Sequence, residues 1–112
     1  MKDPEVFVMH IIDSIDKIED FTSNKTKDEF LEDIQLQDAT IRRIEIIGEA
    51  SKNIPEEFRN KYPEVPWSEM ARTRDKLIHG YFGVDLNLTW DIVQHDLPEL
   101  KQKMYRILND LK

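Results

Sequence analysis

The sequence contains no cysteine, only three glycines, and no apolar run long enough to span a membrane. Without cysteine, neither a disulfide nor a thiolate metal site can form, so a reducing cytoplasm is the natural compartment. A membrane-spanning helix needs about 20 consecutive apolar residues, and the sequence offers no such stretch. The first residues, MKDPEVF, do not resemble a signal peptide. We therefore expect a cytoplasmic protein.

Sequence signatures of metal and cofactor chemistry are also missing. There is no glycine-rich phosphate loop and no G-x-S-x-G element. The three histidines, His10, His79 and His95, lack a metal-ligand spacing such as H-E-x-x-H, so we expect neither a metal site nor a cofactor. His10 and His95 are expected to be ordinary surface residues.

Aspartate and glutamate outnumber lysine and arginine by 23 to 16, which gives a formal net charge of -7. This balance disfavours nucleic-acid binding, because affinity for nucleic acid comes from lysine and arginine side chains that neutralise phosphates. A nucleic-acid function must therefore depend on a local basic site. The candidate is the segment Arg72-Thr73-Arg74-Asp75-Lys76.

The 112 residues fit one domain, which we place over residues 1–112. Apolar residues recur at helical spacing nearly throughout the chain, and no segment predicts a strand. Asp3-Pro4 predicts the start of the first helix, and the stretch from Thr22 to Lys25 predicts its end. The sequence therefore predicts an all-α, up-and-down bundle of four to five helices.

A long helix is predicted from the capping box of Thr26 and Glu29 to about Asn53, where Pro55 stops it. Its apolar residues fall on two roughly opposite arcs. One arc holds Phe30, Ile34, Ile41 and Ile44, and the other holds Leu36, Ala39, Ile46, Ile47 and Ala50. A helix that is apolar on two faces is covered on both, so it is either central to the bundle or part of a subunit interface.

The final segment keeps its apolar spacing across Pro98. The residues that follow this spacing are Leu86, Trp90, Val93, Leu97, Leu100, Met104, Ile107 and Leu111. Unbroken phase across a proline predicts two helical pieces that share one face, with a kink near Pro98.

A helix predicted from about Trp67 towards Gly80 contains the residue that fits a plain bundle least. Its expected apolar arc comprises Trp67, Met70, Leu77, Ile78 and Tyr81. By helical phase, Arg74 falls in the middle of this arc, where an arginine is costly unless it is paired or reaches a wet cleft. Two interpretations are open: a structural ion pair with Glu45 or Glu49, or an arginine presented to an anion between helices or subunits.

His79 lies five residues after Arg74, in the predicted last turn of the same helix. The helix C-terminus stabilises a protonated imidazole there, so this histidine suits proton exchange near neutral pH. The plainer alternative is an exposed pair with Asp75, four residues earlier. Tyr81 sits at the helix end, where its hydroxyl can reach solvent, whereas Phe82 is expected in the core.

The segment Arg74-Asp75-Lys76-Leu77-Ile78-His79-Gly80-Tyr81 resembles the R-x4-6-H signature of HEPN domains. Its extended form, R-x4-H-x-Y, is typical of the HepT-like toxins of HepT–MntA toxin–antitoxin pairs. Further landmarks of the family follow in order as Ile46-Ile47-Gly48-Glu49-Ala50, Tyr62-Pro63-Glu64-Val65-Pro66-Trp67, Tyr81-Phe82-Gly83-Val84-Asp85 and Asp96-Leu97-Pro98. The resemblance covers nearly the whole chain. Thr73 departs from the pattern, since many relatives carry a larger apolar residue there.

The resemblance implies a HEPN-like homodimer that acts as a metal-independent endoribonuclease without a cofactor, with higher assembly left open. His79 would be the general base or acid at the ribose 2′-hydroxyl, and Arg74 would hold the scissile phosphate. In-line attack would leave a 2′,3′-cyclic phosphate. Arg72 and Lys76 are candidate RNA contacts, although a solvated side chain is the plainer interpretation of Arg72. The expected substrate is RNA, with tRNA slightly favoured over mRNA, and not DNA.

In the HepT-like branch the partner is a minimal nucleotidyltransferase antitoxin, which transfers AMP onto the motif tyrosine, here Tyr81. The added charge and bulk beside His79 and Arg74 would repel RNA and block the cleft. Two alternatives remain. One is a non-catalytic HEPN module that binds a nucleotidyltransferase partner or a nucleotide, and the other is a plain helical dimer in which Arg74 forms a buried ion pair.

Overall fold

The computed structural model describes residues 3–78 and 83–112, which are helical apart from the connections and one isolated backbone bridge. The helices are α1 (Pro4–Thr22), α2 (Lys27–Glu32), α3 (Ile34–Asn53), α4 (Glu56–Lys61), α5 (Trp67–Leu77), α6 (Leu86–Asp91) and α7 (Leu97–Leu111), with a π-helical turn over Ile92–Asp96. The predicted all-α class is confirmed, whereas the predicted number of four to five helices is too low, since the described ranges contain seven α-helices. None of the helices in these two ranges combines the length and the apolar character needed to cross a membrane.

The first helix begins and ends where its sequence predicts. The Asp3 carboxylate accepts a hydrogen bond from the Glu5 amide at 3.0 Å, and Pro4 occupies the first helical position, where its missing N–H is not needed. Thr22 is the last residue of α1, and Ser23 takes an extended conformation. The helix buries one face, formed by Val8, Ile11, Ile12, Ile15 and Ile18. Local capping chemistry therefore sets the start of α1.

The long helix predicted from Thr26 to Asn53 is wrong at Asp33, where the chain divides it into α2 and α3. Asp33 has φ -108° and ψ 96°, and its carboxylate caps the new helix by accepting from the Leu36 amide at 3.0 Å. The side-chain amide of Gln37 donates to the carbonyls of Phe30 and Leu31, which lie in the last turn of α2. These bonds satisfy the backbone groups that an interrupted helix exposes, so the break is stable.

The division changes the environment of the apolar residues at the break. Phe30 belongs to α2, is fully buried, and stacks on Trp90 with ring centroids 5.3 Å apart. Ile34 begins α3 and is 70% exposed, so the predicted arc that joined these two residues does not exist. Phe30 thus lies on α2, whereas the other three residues of the predicted arc, Ile34, Ile41 and Ile44, lie on α3.

Helix α3 is central to the bundle, as one of the two sequence interpretations proposed, but the prediction of two opposite covered faces is wrong. It packs against α1 and against α5, and its buried residues form one wide face. That face consists of Leu36, Thr40, Ile44, Ile47, Gly48, Ala50 and Ser51. The core is therefore built around α3. The packing of α3 against α5 also fixes the distance between these two helices.

Gly48 sets the distance between α3 and α5. A Cβ atom at this position would lie 3.2 Å from the Met70 carbonyl oxygen and 3.6 Å from that of Ala71. These are backbone atoms of α5, which cannot move aside as a flexible side chain can. A glycine is needed here because the two helices approach so closely.

The chain from Leu86 to Leu111 keeps its helical course across Pro98, as predicted. The adjustment is the π-helical turn Ile92–Asp96, in which the Leu97 amide donates to the Ile92 carbonyl five residues earlier. Pro98 has no amide hydrogen, so it cannot donate to a carbonyl in the preceding turn. The wider π turn places this missing donor at a helix junction, which is where irregular hydrogen bonding is tolerated.

Lys101 attaches α7 to α1. Its ammonium group lies 2.8 Å from Asp16 and 2.6 Å from Glu19, two carboxylates one turn apart on α1. The hydrogen bond to Asp16, followed by that to Glu19, raises the pKa of Lys101 above its ordinary value. The lysine therefore stays protonated through neutral pH.

Substitution of Gly48 by valine is expected to destabilise the bundle. The valine side chain must be accommodated against backbone atoms of α5, and overpacking of this kind costs about 2 kcal/mol. We expect thermal denaturation followed by circular dichroism to show Tm lowered by roughly 5–10 °C. Glu49→Val is the control, because Glu49 is exposed on the same helix and pays only the helix-propensity cost of valine. Equal changes in Tm for the two variants would contradict a close contact at Gly48.

Candidate active site

The basic residues of the candidate site lie on the last two turns of α5. Arg72, Arg74 and Lys76 are all exposed, in a chain whose net charge is -7. Successive helical residues are about 100° apart, so Arg72 and Lys76 lie on the same face and Arg74 points away from both. The structure therefore does not join the three cations into one patch.

Arg72 and Lys76 each line a cavity beside α5. Arg72 contributes to a cavity of about 530 Å³ next to α4, where Arg59 also lies. Lys76 contributes to a cavity of about 320 Å³ between α3, α5 and α7, where Lys103 also lies. In the part of the chain that the structure describes, neither Arg72 nor Lys76 forms an ion pair with a carboxylate. Both cations are available to an anionic ligand.

Arg74 reaches across to α3 and pairs with Glu45. Its Nε donates to Glu45 Oε2 at 2.7 Å, a short charge-assisted hydrogen bond between two helices. The Arg74 side chain is 54% exposed, so the prediction that it faces inward, and the hypothesis of a buried ion pair, are wrong. Arginine is long enough to start at the edge of the apolar arc and still place its charged end in solvent.

The structure also decides between the two proposed partners of Arg74. Glu49 pairs with Lys52 at 3.6 Å on its own helix, and its side chain is 70% exposed. Glu45 lies one turn earlier and is only 27% exposed. The prediction of an ion pair between Arg74 and the long helix is confirmed, with Glu45 as the partner.

Helix α5 ends at Leu77, earlier than the predicted end near Gly80. The carbonyl of Leu77 accepts from the Asp85 amide at 2.8 Å, and Ile78 is extended and forms an antiparallel bridge with Val84. A distant part of the chain thus takes the carbonyl that would have continued the helix. The predicted course of α5 beyond Leu77 is therefore wrong at Ile78.

Four of the residues assigned from the sequence, His79, Gly80, Tyr81 and Phe82, lie outside the described residues. The same holds for the predicted pair between Asp75 and His79. On the far side, Gly83 has φ +107°, a backbone conformation that L side chains rarely adopt. Because Ile78 and Val84 are paired, both ends of the segment that carries the motif are held beside the C-terminus of α5.

The other two histidines lie where the sequence predicts. His10 and His95 are both exposed, and His10 lies edge-on to Phe7 with ring centroids 6.4 Å apart. His95 is in the π-helical turn. Neither is near the Arg74–Glu45 pair in sequence, and both serve as controls for substitutions of His79.

A model of the Ribonuclease HepT-like family matches residues 11–107. The chain belongs to the HepT-like ribonuclease family. This confirms the resemblance that the R-x4-H-x-Y segment and its landmarks indicated. In this HepT-like chain, the matched range includes all of α3 and α5, which carry Glu45 and Arg74.

Several relatives of this HepT-like chain are named as ribonucleases. A Methanocaldococcus jannaschii protein named as a gamma-glutamylcyclotransferase and candidate RNase is 54% identical over 110 residues, which cover 98% of this chain and 50% of that protein. A Thermococcus cleftensis protein named Probable ribonuclease HepT is 50% identical over 101 residues, which cover 90% of this chain and 92% of that protein. A candidate RNase of Caldanaerobacter subterraneus subsp. tengcongensis is 40% identical over 112 residues, the full length of both chains. The chain thus spans half the length of the first of these relatives. No solved structure matches the chain.

Arg74→Ala is expected to leave the stability of this HepT-like domain nearly unchanged. An exposed ion pair contributes at most about 1 kcal/mol, because solvent screens the charges and the side chains lose entropy on pairing. Leu77→Ala on the same helix is the comparison, since Leu77 is 1% exposed and its truncation costs about 3 kcal/mol. Urea denaturation measures both variants. A loss for Arg74→Ala as large as that for Leu77→Ala would show that the arginine is structural after all.

Proposed function

We propose that this HepT-like protein is a metal-independent endoribonuclease toxin, which cleaves RNA with Arg74 and His79 and is silenced through Tyr81. The main support is the state of Arg74 within a ribonuclease-family fold. Its guanidinium is exposed at the end of α5 and bound to Glu45 through Nε alone among the described hydrogen bonds. An arginine held in this way has its terminal nitrogens available for a phosphate.

In the proposed reaction, the ribose 2′-oxygen attacks the adjacent phosphorus and the bond to the 5′-oxygen breaks. His79 takes the proton of the 2′-hydroxyl or supplies one to the leaving 5′-oxygen, which imidazole does well near neutral pH. Arg74 binds the non-bridging oxygens, whose negative charge grows in the transition state. The products are a 2′,3′-cyclic phosphate and a 5′-hydroxyl.

The charge distribution supports a substrate that is bound locally. The overall charge of -7 repels nucleic acid at a distance, whereas Arg72 and Lys76 are exposed on the side of α5 that faces away from Arg74 and are unpaired with carboxylates in the described ranges. We assign them to flanking phosphates of the RNA. An RNA such as tRNA, which presents a folded loop to a small site, is the favoured substrate over mRNA.

A homodimer is part of the proposal. Ile34, at the start of α3, is 70% exposed, and a large apolar side chain in this position is suited to contact with a second copy. Glu45 and Arg74 lie on α3 and α5, so contact between α3 helices would place two such pairs near a common cleft. Assembly beyond a dimer is left open.

The proposed regulator is a minimal nucleotidyltransferase antitoxin. It would form a bond between the Tyr81 oxygen and the α-phosphorus of ATP and release pyrophosphate. The attached AMP adds negative charge and bulk next to the catalytic pair, which opposes the approach of an RNA phosphate.

The ribonuclease proposal predicts that His79→Ala and Arg74→Ala each lower RNA cleavage by about a hundredfold or more. Purified protein, incubated with total RNA in the presence of EDTA, should give discrete new ends with 2′,3′-cyclic phosphates. His95→Ala is the matched control, because His95 is exposed on the π-helical turn and should retain full activity.

Cleavage that persists in His79→Ala would contradict the assignment of the catalytic pair. Cleavage that stops with EDTA and resumes with a divalent cation would contradict metal independence. If wild type cut no RNA but still bound a nucleotidyltransferase or a nucleotide, the protein would be a non-catalytic HEPN module.

The regulatory proposal predicts that Tyr81→Phe cleaves RNA as wild type does but escapes silencing by the nucleotidyltransferase. The phenylalanine lacks the oxygen that accepts AMP and keeps the ring. Intact-protein mass should increase by one AMP for wild type and not for Tyr81→Phe. Tyr105→Phe is the control, since Tyr105 is 43% exposed and its removal should leave silencing intact. Equal silencing of wild type and Tyr81→Phe would refute the role of this tyrosine.

A further inference from the structure

The Arg74–Glu45 ion pair joins an exposed arginine side chain to a largely covered glutamate side chain. The Arg74 side chain is 54% exposed and that of Glu45 is 27% exposed, so the carboxylate is the better anchored partner. The bond runs from Nε to a single carboxylate oxygen at 2.7 Å. Among the described residues no partner engages the two terminal nitrogens of the guanidinium.

The two helices that carry this pair are held at a fixed separation. Gly48, three residues after Glu45, allows α3 to approach the Met70 carbonyl of α5 to the point where a Cβ would lie 3.2 Å away. Met70 and Leu77, on either side of Arg74 along α5, are buried in the core. The separation of the α3 and α5 backbones at Glu45 and Arg74 is therefore set by core packing, and the ion pair spans a gap of fixed width.

A free arginine has many rotamers, and binding a phosphate in one of them loses conformational entropy. A carboxylate that holds Nε removes much of this loss before the substrate arrives. It also leaves the end of the planar fork, with its two terminal nitrogens, facing outward. The sequence offered Glu45 only as a partner in a structural ion pair, but the exposure of Arg74 makes a purely stabilising role weak.

We infer that Glu45 is a positioning residue, which fixes Arg74 through Nε so that its two terminal nitrogens bind the scissile phosphate end-on. This inference rests on the proposed ribonuclease function. Glu45 itself contacts neither the substrate nor the reacting atoms. Its effect on the reaction passes entirely through the orientation of Arg74.

The test compares Glu45→Met with Glu45→Gln. Methionine matches the length of glutamate but accepts no strong hydrogen bond, so cleavage should fall by about tenfold to a hundredfold, mainly in kcat, because the phosphate-binding group is no longer aligned. Glutamine retains an oxygen that accepts from Nε, so it should restore most of the activity. Glu49→Met is the control one turn away, where the side chain is exposed and pairs only with Lys52 among the described residues.

A second comparison separates positioning from folding. Arg74→Lys removes the guanidinium, and with it the Nε–H group that Glu45 holds. In this background Glu45→Met should therefore lower the remaining activity by less than about twofold. A structural role would lower the activity and the melting temperature by the same amounts in both backgrounds. Glu45→Met is expected to melt close to wild type, because the pair is exposed on one side.

The outcomes are distinct. Wild-type activity in Glu45→Met would overturn the inference and leave the ribonuclease intact. Higher activity or tighter RNA binding in Glu45→Met would also overturn it, since the carboxylate would then compete with phosphate for Arg74. Absence of cleavage by wild type would instead overturn the proposed function, and the inference with it.

Discussion

The close packing of α3 against α5 is the contact on which the candidate site depends. Gly48 lets the two backbones approach, and the apolar face of α3 is shared with α1 on the other side. With three helices fixed in this way, Glu45 and Arg74 meet across a short gap without determining the fold themselves. The apolar core therefore carries the stability, and the charged pair at its edge is free to serve chemistry.

Features that depend on local chemistry could be predicted from the sequence. The Asp3-Pro4 start of α1 and the capping box of Thr26 and Glu29 are both present, because a cap is formed by residues within one turn. The shared apolar face on both sides of Pro98 is also present, since helical periodicity survives a single proline at a junction. The family was recognisable for a similar reason, as its motif and landmarks are short segments in a fixed order.

Features that depend on distant contacts or on competition between caps could not be predicted. Asp33 can either continue a helix or cap the start of a new one. The hydrogen bonds from the Gln37 side chain to the carbonyls of Phe30 and Leu31 favour the cap. The end of α5 at Leu77 is decided by the Asp85 amide, which helical periodicity does not reveal. Helical phase placed Arg74 in the middle of the apolar arc, whereas its side chain is 54% exposed, because phase does not describe where the charged end of a long side chain lies.

The early end of α5 has a consequence for how the motif is organised. Arg74 belongs to a packed helix, whereas Ile78 is extended and pairs with Val84. Helical phase therefore does not carry past Leu77. The buried residues of α5, Trp67, Met70 and Leu77, all precede the bridge, so a change in the number of residues between Ile78 and Val84 would leave these core contacts in place.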